Sequence, residues 1–208
     1  MKKCIWFDFD GTLIKRGTLD YIIELYGPRI IFKWFPQIVI SFKYNSKRDA
    51  VKTSYSRFLT PFQRKYLGIY IFIKQSTRRI KEVYSIFSLA RKKGYQLYVI
   101  SSQHEDVVNS YLRPFRTIGF KIETYCSSND RIDGEKEKAI VVQRLRKKCD
   151  FIIGVGDSSN DALALLYSDI GFVINSTISK IFPVKKRNGK IYSVRSLGDV
   201  RKILENIL

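Results

Sequence analysis

The sequence predicts an α/β fold: a doubly wound, Rossmann-like parallel sheet with a helical cap inserted behind its first strand. Three observations predict it. Short apolar runs rich in β-branched and aromatic residues recur along the chain, as buried parallel strands do. Helical patterns separate them, and such alternation marks a sheet covered on both faces. Between the first run and the second, Arg16 to Glu82 breaks the rhythm, carries no strand ladder and reads as several helices.

The strand candidates are Cys4–Phe7, Gln96–Ile100, Phe151–Val155 and Ile170–Ile174, with Phe120–Tyr125 a weaker run. Among the helices, Ser85–Lys93 stops at Gly94 and Glu105–Leu112 stops ahead of Pro114. Glu135–Lys147 sets Ile140, Val141 and Leu145 at helical spacing, and Asp161–Tyr167 and Asp199–Ile207 complete the core set. The insertion reads as Leu19–Tyr26, Arg29–Phe42, Lys47–Phe58 and a segment after Pro61. The expected division is a core of residues 1–15 and 84–208 and a cap of residues 16–83.

The bulk composition fits this reading. A chain of 208 residues suits one medium domain carrying an insertion. With 45% hydrophobic and 14% aromatic residues and no long polar low-complexity tract, it is a folded rather than a disordered chain. The three cysteines, Cys4, Cys126 and Cys149, stand singly and His104 is the only histidine, which argues against a zinc site and a disulfide framework. A cytoplasmic location follows as the expectation. The basic start, Met1-Lys2-Lys3, runs into Asp8 and Asp10 too soon for the apolar stretch of a signal peptide. The formal charge of +19 favours anionic partners, whether phosphorylated substrates, anionic lipid or nucleic acid, and does not choose among them.

Four short motifs carry the chemistry. Asp8-Phe9-Asp10-Gly11-Thr12-Leu13 follows the strand Ile5-Trp6-Phe7 directly. Two carboxylates two residues apart at a strand end can both face the crevice, one to attack phosphorus and one to handle the leaving-group proton. Gly11 allows a sharp turn that brings backbone N–H groups to a phosphate. Ser101 and Ser102 follow the second strand, where a hydroxyl and the next N–H suit a phosphoryl oxygen; a plain helix cap explains them equally well. Lys138, in Gly134-Glu135-Lys136-Glu137-Lys138, begins a helix and can neutralise a carboxylate and the phosphate it receives, with Lys136 an open alternative. Finally, Gly156-Asp157-Ser158-Ser159-Asn160-Asp161 turns from a strand into a helix. Asp157 is placed to hold a hard divalent cation, with Mg²⁺ the best candidate, and Asp161 to bind the ion or orient its ligands.

Taken in this order, Asp8-x-Asp10-Gly-Thr, Ser101, a helix-start lysine and Gly156-Asp157-x-x-x-Asp161 resemble the haloacid dehalogenase-like superfamily. The resemblance spans roughly residues 4–15 and 85–180. It implies a phosphoric monoester hydrolase in which Asp8 forms an aspartyl-phosphate and Asp10 serves first as acid and then as base. It implies Mg²⁺ held by Asp8, the Asp10 carbonyl and Asp157, with Ser101, Lys138 and the N–H groups near Gly11 gripping the phosphoryl oxygens. Family dehalogenases lack an acid at the position of Asp10, so a phosphatase is implied.

An insertion between the first two motifs matches the branch with a small helical cap, as in phosphoserine phosphatases. The glutamate with which those enzymes hold the substrate's amino group is missing from Ile14-Lys15-Arg16-Gly17-Thr18, so phosphoserine is not the expected substrate. Arg48-Asp49-Ala50-Val51-Lys52, with Thr12-Leu13 leading to Asp20, resembles bacterial phosphatases of this branch that act on phosphatidylglycerophosphate. The cap is apolar and basic at once. Lys33, Gln37 and Ser41 leave a narrow polar stripe on a helix bearing Trp34, Phe35, Ile38 and Phe42, with Pro36 starting or kinking it, and Tyr66–Ile73 is a second apolar run. Both runs are too short to span a bilayer; they fit either the cap's own core or an interfacial contact with anionic lipid at the cytoplasmic membrane face.

The expected function is thus a Mg²⁺-dependent phosphomonoesterase, with a lipid-linked phosphate as the favoured substrate. A soluble nucleotide, sugar phosphate or amino-alcohol phosphate is the alternative. A basic nucleic-acid-binding module on a non-catalytic core is a remote one, for no RNP-like string, zinc finger or recognition helix stands out. No partner protein is implied.

Overall fold

The protein is described by a computed structural model over residues 1–30, 59–127, 132, 134–174 and 190–207. Its centre is a six-stranded sheet ordered β3-β2-β1-β4-β5-β6, every pair parallel. The strands are β1 (Lys3–Phe7), β2 (Tyr95–Ile100), β3 (Ile122–Tyr125), β4 (Phe151–Gly156), β5 (Ile170–Ile174) and β6 (Lys190–Val194). The helices that can be described are α1 (Thr18–Tyr26), α2 (Pro61–Lys74), α3 (Thr77–Lys92), α4 (Glu105–Thr117), α5 (Glu135–Arg146), α6 (Ala162–Leu166) and α7 (Leu197–Ile207). Most of the expected helix Arg29–Phe42, all of Lys47–Phe58 and the string Arg48–Lys52 lie outside the described residues.

The inner strands β1, β2, β4 and β5 are buried on both faces over most of their length, as their continuous apolar runs require, while the edge strands β3 and β6 are partly exposed. Phe7, Phe9, Phe87, Tyr111 and Phe115 fill one side with Val200 and Leu204 from α7; Trp6, Tyr98, Val142, Leu145 and Leu165 fill the other against α5 and α6. Rings meet edge to face, with Phe7–Phe87 centroids 5.4 Å apart and Phe87–Phe115 5.5 Å. The polar atom that burial would strand, Trp6 Nε1, donates to Ser168 Oγ at 2.9 Å.

Strand order reverses at β1. Residues after it build outward to β2 and β3, and β4 begins the other wing, so the crevice opens at the carboxyl ends of β1 and β4. Register levels those ends: Phe7 lies beside Val99 on β2 and Val155 on β4.

Helix α2 is capped by Thr60, whose hydroxyl accepts from Gln63 N–H (3.3 Å) while the Gln63 side chain accepts from Thr60 N–H (2.9 Å). It lies parallel to α4, joined by Arg64 to Asp106 at 3.0 Å and by Phe72 against Tyr111 and Phe115. Gly68 permits the close approach: a Cβ there would meet the Val107 carbonyl oxygen and lie 2.7 Å from Ser110 Cβ.

Four features differ from the sequence reading. Helix α3 starts at Thr77 rather than Ser85, because Ser76 caps it by accepting from Arg79 N–H (3.2 Å) and Glu82 pairs with Arg78 and Arg79 across its first turns. Helix α4 continues through Pro114 to Thr117. A proline inside a helix costs about 3 kcal/mol, which the burial of Leu112 and Phe115 on either side offsets. Strand β6 was not expected; among the described residues it stands at the sheet edge and pairs with β5 alone. Lastly, Cys4 and Cys149 are joined as a disulfide, with Cα atoms 6.0 Å apart, which corrects the expectation of three single cysteines. They are 145 residues apart in sequence and meet only because β1 and β4 are neighbours.

Candidate active site

The candidate nucleophile stands where β1 ends. Asp8 N–H still donates to the Val155 carbonyl at 2.8 Å, and the chain then leaves the sheet in a wide turn, Phe9–Leu13, closed by Ile14 N–H on the Phe9 carbonyl at 3.0 Å. Gly11 sits in this turn at φ 73°, and any Cβ on it would collide with the Asp157 carboxylate. Both constraints require glycine. The turn is held from behind: Arg79, buried at the start of α3, donates to the carbonyls of Thr12 and Leu13, and Tyr111 Oη donates to the Leu13 carbonyl at 3.3 Å.

Helix α5 enters beside this turn and delivers Lys138. Its Nζ lies 2.5 Å from Asp8 Oδ1 and 2.7 Å from Asp161 Oδ1, in a setting where all three side chains are buried. Lys136, one turn-face away, is exposed. The other oxygen of Asp161 accepts from the N–H groups of Asp157 and Ser158 and from Ser158 Oγ, each at 3.1 Å. With a lysine on one oxygen and three donors on the other, Asp161 is engaged in fixing the loop after β4 and the ammonium.

Charge crowding shifts these groups. Burial pushes the Asp8 carboxyl well above the usual carboxylate range; Lys138 draws it back, while Asp161 and Asp157 push it further up. Asp157 is pushed up to about 7, by burial first and Asp161 next, against the pull of Lys138. Burial alone would lower the Lys138 ammonium, but the charges of Asp161 and Asp8 outweigh it and hold it above its usual value. Asp10 is raised by burial against hydrogen bonds from Thr18 and Gln103 that favour its anion.

Asp8, Asp157 and Asp161 each offer a carboxylate oxygen, and the three lie within 4.8 Å of one another. An all-oxygen set of this size fits a hard divalent cation such as Mg²⁺. The excess negative charge points the same way: three carboxylates face one ammonium.

Asp10 occupies a separate niche. Its Oδ1 accepts from Thr18 N–H (2.6 Å) and Thr18 Oγ1 (2.7 Å), and its Oδ2 from Gln103 Nε2 (2.7 Å). Ser101, buried at the end of β2, accepts from Gln103 N–H on its Oγ at 3.1 Å. Thr12 is fully buried, with its Oγ1 unpartnered among the described residues. Ser102 and Asn160 stand half-buried in the loops after β2 and β4, and neither bonds to the carboxylates. Sequence reasoning missed Gln103, Thr18 and Arg79. Gln103 lies two residues beyond Ser101, a proximity that offered some signal; Arg79 offered none.

A family model described as haloacid dehalogenase-like hydrolase matches residues 2–169. No curated protein sequence matches the chain. Among solved structures, a phospho-aspartyl intermediate analogue of phosphoserine phosphatase is similar at TM-score 0.60 and 17% identity, covering 100% of this chain and 99% of that one. Phosphoserine phosphatase in apo form gives TM-score 0.61 and 18% identity with full coverage of both chains. A haloacid dehalogenase family hydrolase from Salmonella enterica serovar Typhi gives TM-score 0.64 and 17% identity, covering 99% of this chain and 72% of that one. At these identities the solved structures speak for the fold, and the family model, which covers most of the sequence, for the membership: the chain belongs to the haloacid dehalogenase-like hydrolases.

Proposed function

We propose that the chain is a Mg²⁺-dependent phosphomonoesterase working through an aspartyl-phosphate on Asp8. The observation that carries this reading is the buried contact of Lys138 with both Asp8 and Asp161, beside Asp157 at the crevice where strand order reverses. A carboxylate is a weak nucleophile towards an anionic phosphate, because the two repel. Lys138 offsets that repulsion at the attacking group. Asp8, Asp157 and the Asp10 carbonyl would hold Mg²⁺, which would supply further charge neutralisation for the phosphoryl group.

In the first step an Asp8 oxygen forms a bond to phosphorus as the bond to the ester oxygen breaks, and Asp10 gives that oxygen its proton. In the second, Asp10 takes a proton from water, the hydroxide oxygen bonds to phosphorus, and Asp8 leaves as a carboxylate with inorganic phosphate as product. Ser101 Oγ and the N–H groups of the turn at Gly11 hold the equatorial oxygens. Ser102, Thr12 and Asn160 are assigned supporting places around them, and residues 16–83 the place of a cap.

Two of the similar structures are phosphoserine phosphatases, but the glutamate expected to hold an amino group is missing from Ile14–Thr18, and the substrate we favour is a lipid-linked phosphate such as phosphatidylglycerophosphate. One feature of α2 supports it: Phe62, Tyr66, Ile69 and Ile73 are 79%, 48%, 42% and 71% exposed along one helix face, with exposed Lys65 and Lys74 beside them. Aromatic and aliphatic groups flanked by lysines suit an anionic bilayer surface. No helix among the described residues is long and apolar enough to cross a membrane.

The test is a panel of phosphate esters, soluble and lipid, assayed with Mg²⁺ and with EDTA. Hydrolysis that needs Mg²⁺ supports the reading; metal-independent or absent hydrolysis contradicts it. Co-sedimentation with anionic liposomes at low salt, lost at high salt, is expected for the lipid substrate. No recruitment to liposomes, with soluble esters hydrolysed well, assigns the soluble alternative.

A further inference from the structure

Gln103 ties the second motif to the first. Both oxygens of Asp10 are engaged before any substrate arrives: Oδ1 by the N–H and hydroxyl of Thr18, Oδ2 by Gln103 Nε2 at 2.7 Å. Each carboxylate oxygen offers about two acceptor sites. Oδ1 already carries two short donors and Oδ2 only one, so Oδ2 is the oxygen with the open site, its direction set by where Gln103 sits. The opposite orientation of the Gln103 amide would set its carbonyl oxygen against a carboxylate, so Nε2 is the atom that faces an ionised Asp10.

Gln103 is itself held rigidly. The residue is 5% exposed; its N–H donates to Ser101 Oγ at 3.1 Å and its carbonyl accepts from Ser127 N–H at 3.1 Å. The first of these bonds has a chemical consequence. Because Ser101 Oγ accepts from Gln103, the Ser101 hydroxyl proton must point elsewhere, which leaves it free to donate to a phosphoryl oxygen.

We infer that Gln103 is a positioning residue for proton transfer, aiming Asp10 Oδ2 at the leaving-group oxygen while turning the Ser101 hydroxyl towards the phosphoryl group. The inference rests on the reading of Asp10 as general acid. As Asp8 bonds to phosphorus and the ester P–O bond breaks, the Oδ2 proton passes to the departing oxygen, and the carboxylate left behind is stabilised by Gln103 and Thr18. Without Gln103 the carboxyl group can rotate and the proton is delivered in the wrong direction.

Leaving groups distinguish this role from mere packing. A primary alkoxide must be protonated as it leaves; p-nitrophenolate need not be. Gln103→Met keeps the shape and removes the donor, and Gln103→Asn keeps an amide one methylene too short. Each variant is checked for cooperative thermal unfolding by circular dichroism, and the Asn variant decides if the Met variant does not fold. The expected result is a loss in kcat/KM, which reports the steps through departure of the leaving group, of about 10- to 100-fold on a primary alkyl phosphate and less than about 3-fold on p-nitrophenyl phosphate. Equal losses on both esters, or none on either, overturn the inference and leave the phosphatase reading standing. Wild-type protein that hydrolyses neither ester, or an Asp8→Asn variant with full turnover, overturns the phosphatase reading and the inference with it.

Discussion

Lys138 is the residue on which the candidate site balances. It is a buried cation between two buried carboxylates, and removing one partner of such a set leaves charge without compensation. Lys138→Met is expected to destabilise the metal-free protein by about 3–5 kcal/mol, measured by urea unfolding near neutral pH. The loss should shrink in acid, where Asp8 takes up a proton and no longer needs the ammonium; a loss independent of pH would assign Lys138 to packing. How much of this was legible depended on distance along the chain. Asp8, Asp10, Asp157 and Asp161 declared themselves because each sits just past an apolar strand, and parallel strands bring such ends to one edge. Sequence left Lys136 and Lys138 open, and burial separates them. Gln103 on Asp10 and Arg79 on the carbonyls of Thr12 and Leu13 are contacts made across the fold, up to 93 residues apart; the place of Gln103 beside Ser101 hints at the first, and nothing in the spacing announces the second.

At the scale of elements, the contact of α2 with α4 ties the inserted segment to the core beside the second motif. Alanine is about 1 kcal/mol better than glycine in a helix interior, so propensity alone predicts that Gly68→Ala stabilises α2. The structure predicts the opposite, because a Cβ would press on the Val107 carbonyl oxygen and Ser110. A net loss of about 1–2 kcal/mol is expected in thermal unfolding; a gain would mean the helices do not approach so closely. The buried strands were readable from continuous runs such as Phe151–Val155. Lys190–Val194 was not, since it carries Lys190 and Ser193 and, among the described residues, sits on the sheet edge paired only with β5. The start of α3 hid behind Thr77-Arg78-Arg79, polar residues whose pairing with Ser76 and Glu82 is visible only in three dimensions. Pro114 misled the reading of α4 because local backbone cost was weighed without the aromatic core that overrides it.

Over the whole molecule, the acidic centre links stability to pH and to metal. Asp8 and Asp157 have folded-state values raised above the ordinary 3.8, Asp157 to about 7. For a group raised in this way the folded state binds the proton more tightly than the unfolded chain. Its stabilising contribution is complete below the ordinary value and is lost as pH rises through the folded one. The Tm of metal-free protein should therefore drop between about pH 5 and about pH 8 through these groups. Mg²⁺ bound by these carboxylates, as proposed, would compete with the same protons, so the rise in Tm on adding it should be larger at about pH 8 than at about pH 5. An equal rise at both pH values would place the ion elsewhere. The central claim, that Asp8 is the group that receives phosphorus, is tested most directly by quenching a turning-over mixture in acid and mapping the protein by mass spectrometry. A phosphoryl group on the peptide carrying Asp8, absent from an inactive Asp8→Asn variant, is the predicted result. Rapid hydrolysis with no such adduct and with turnover undiminished in Asp8→Asn would contradict it.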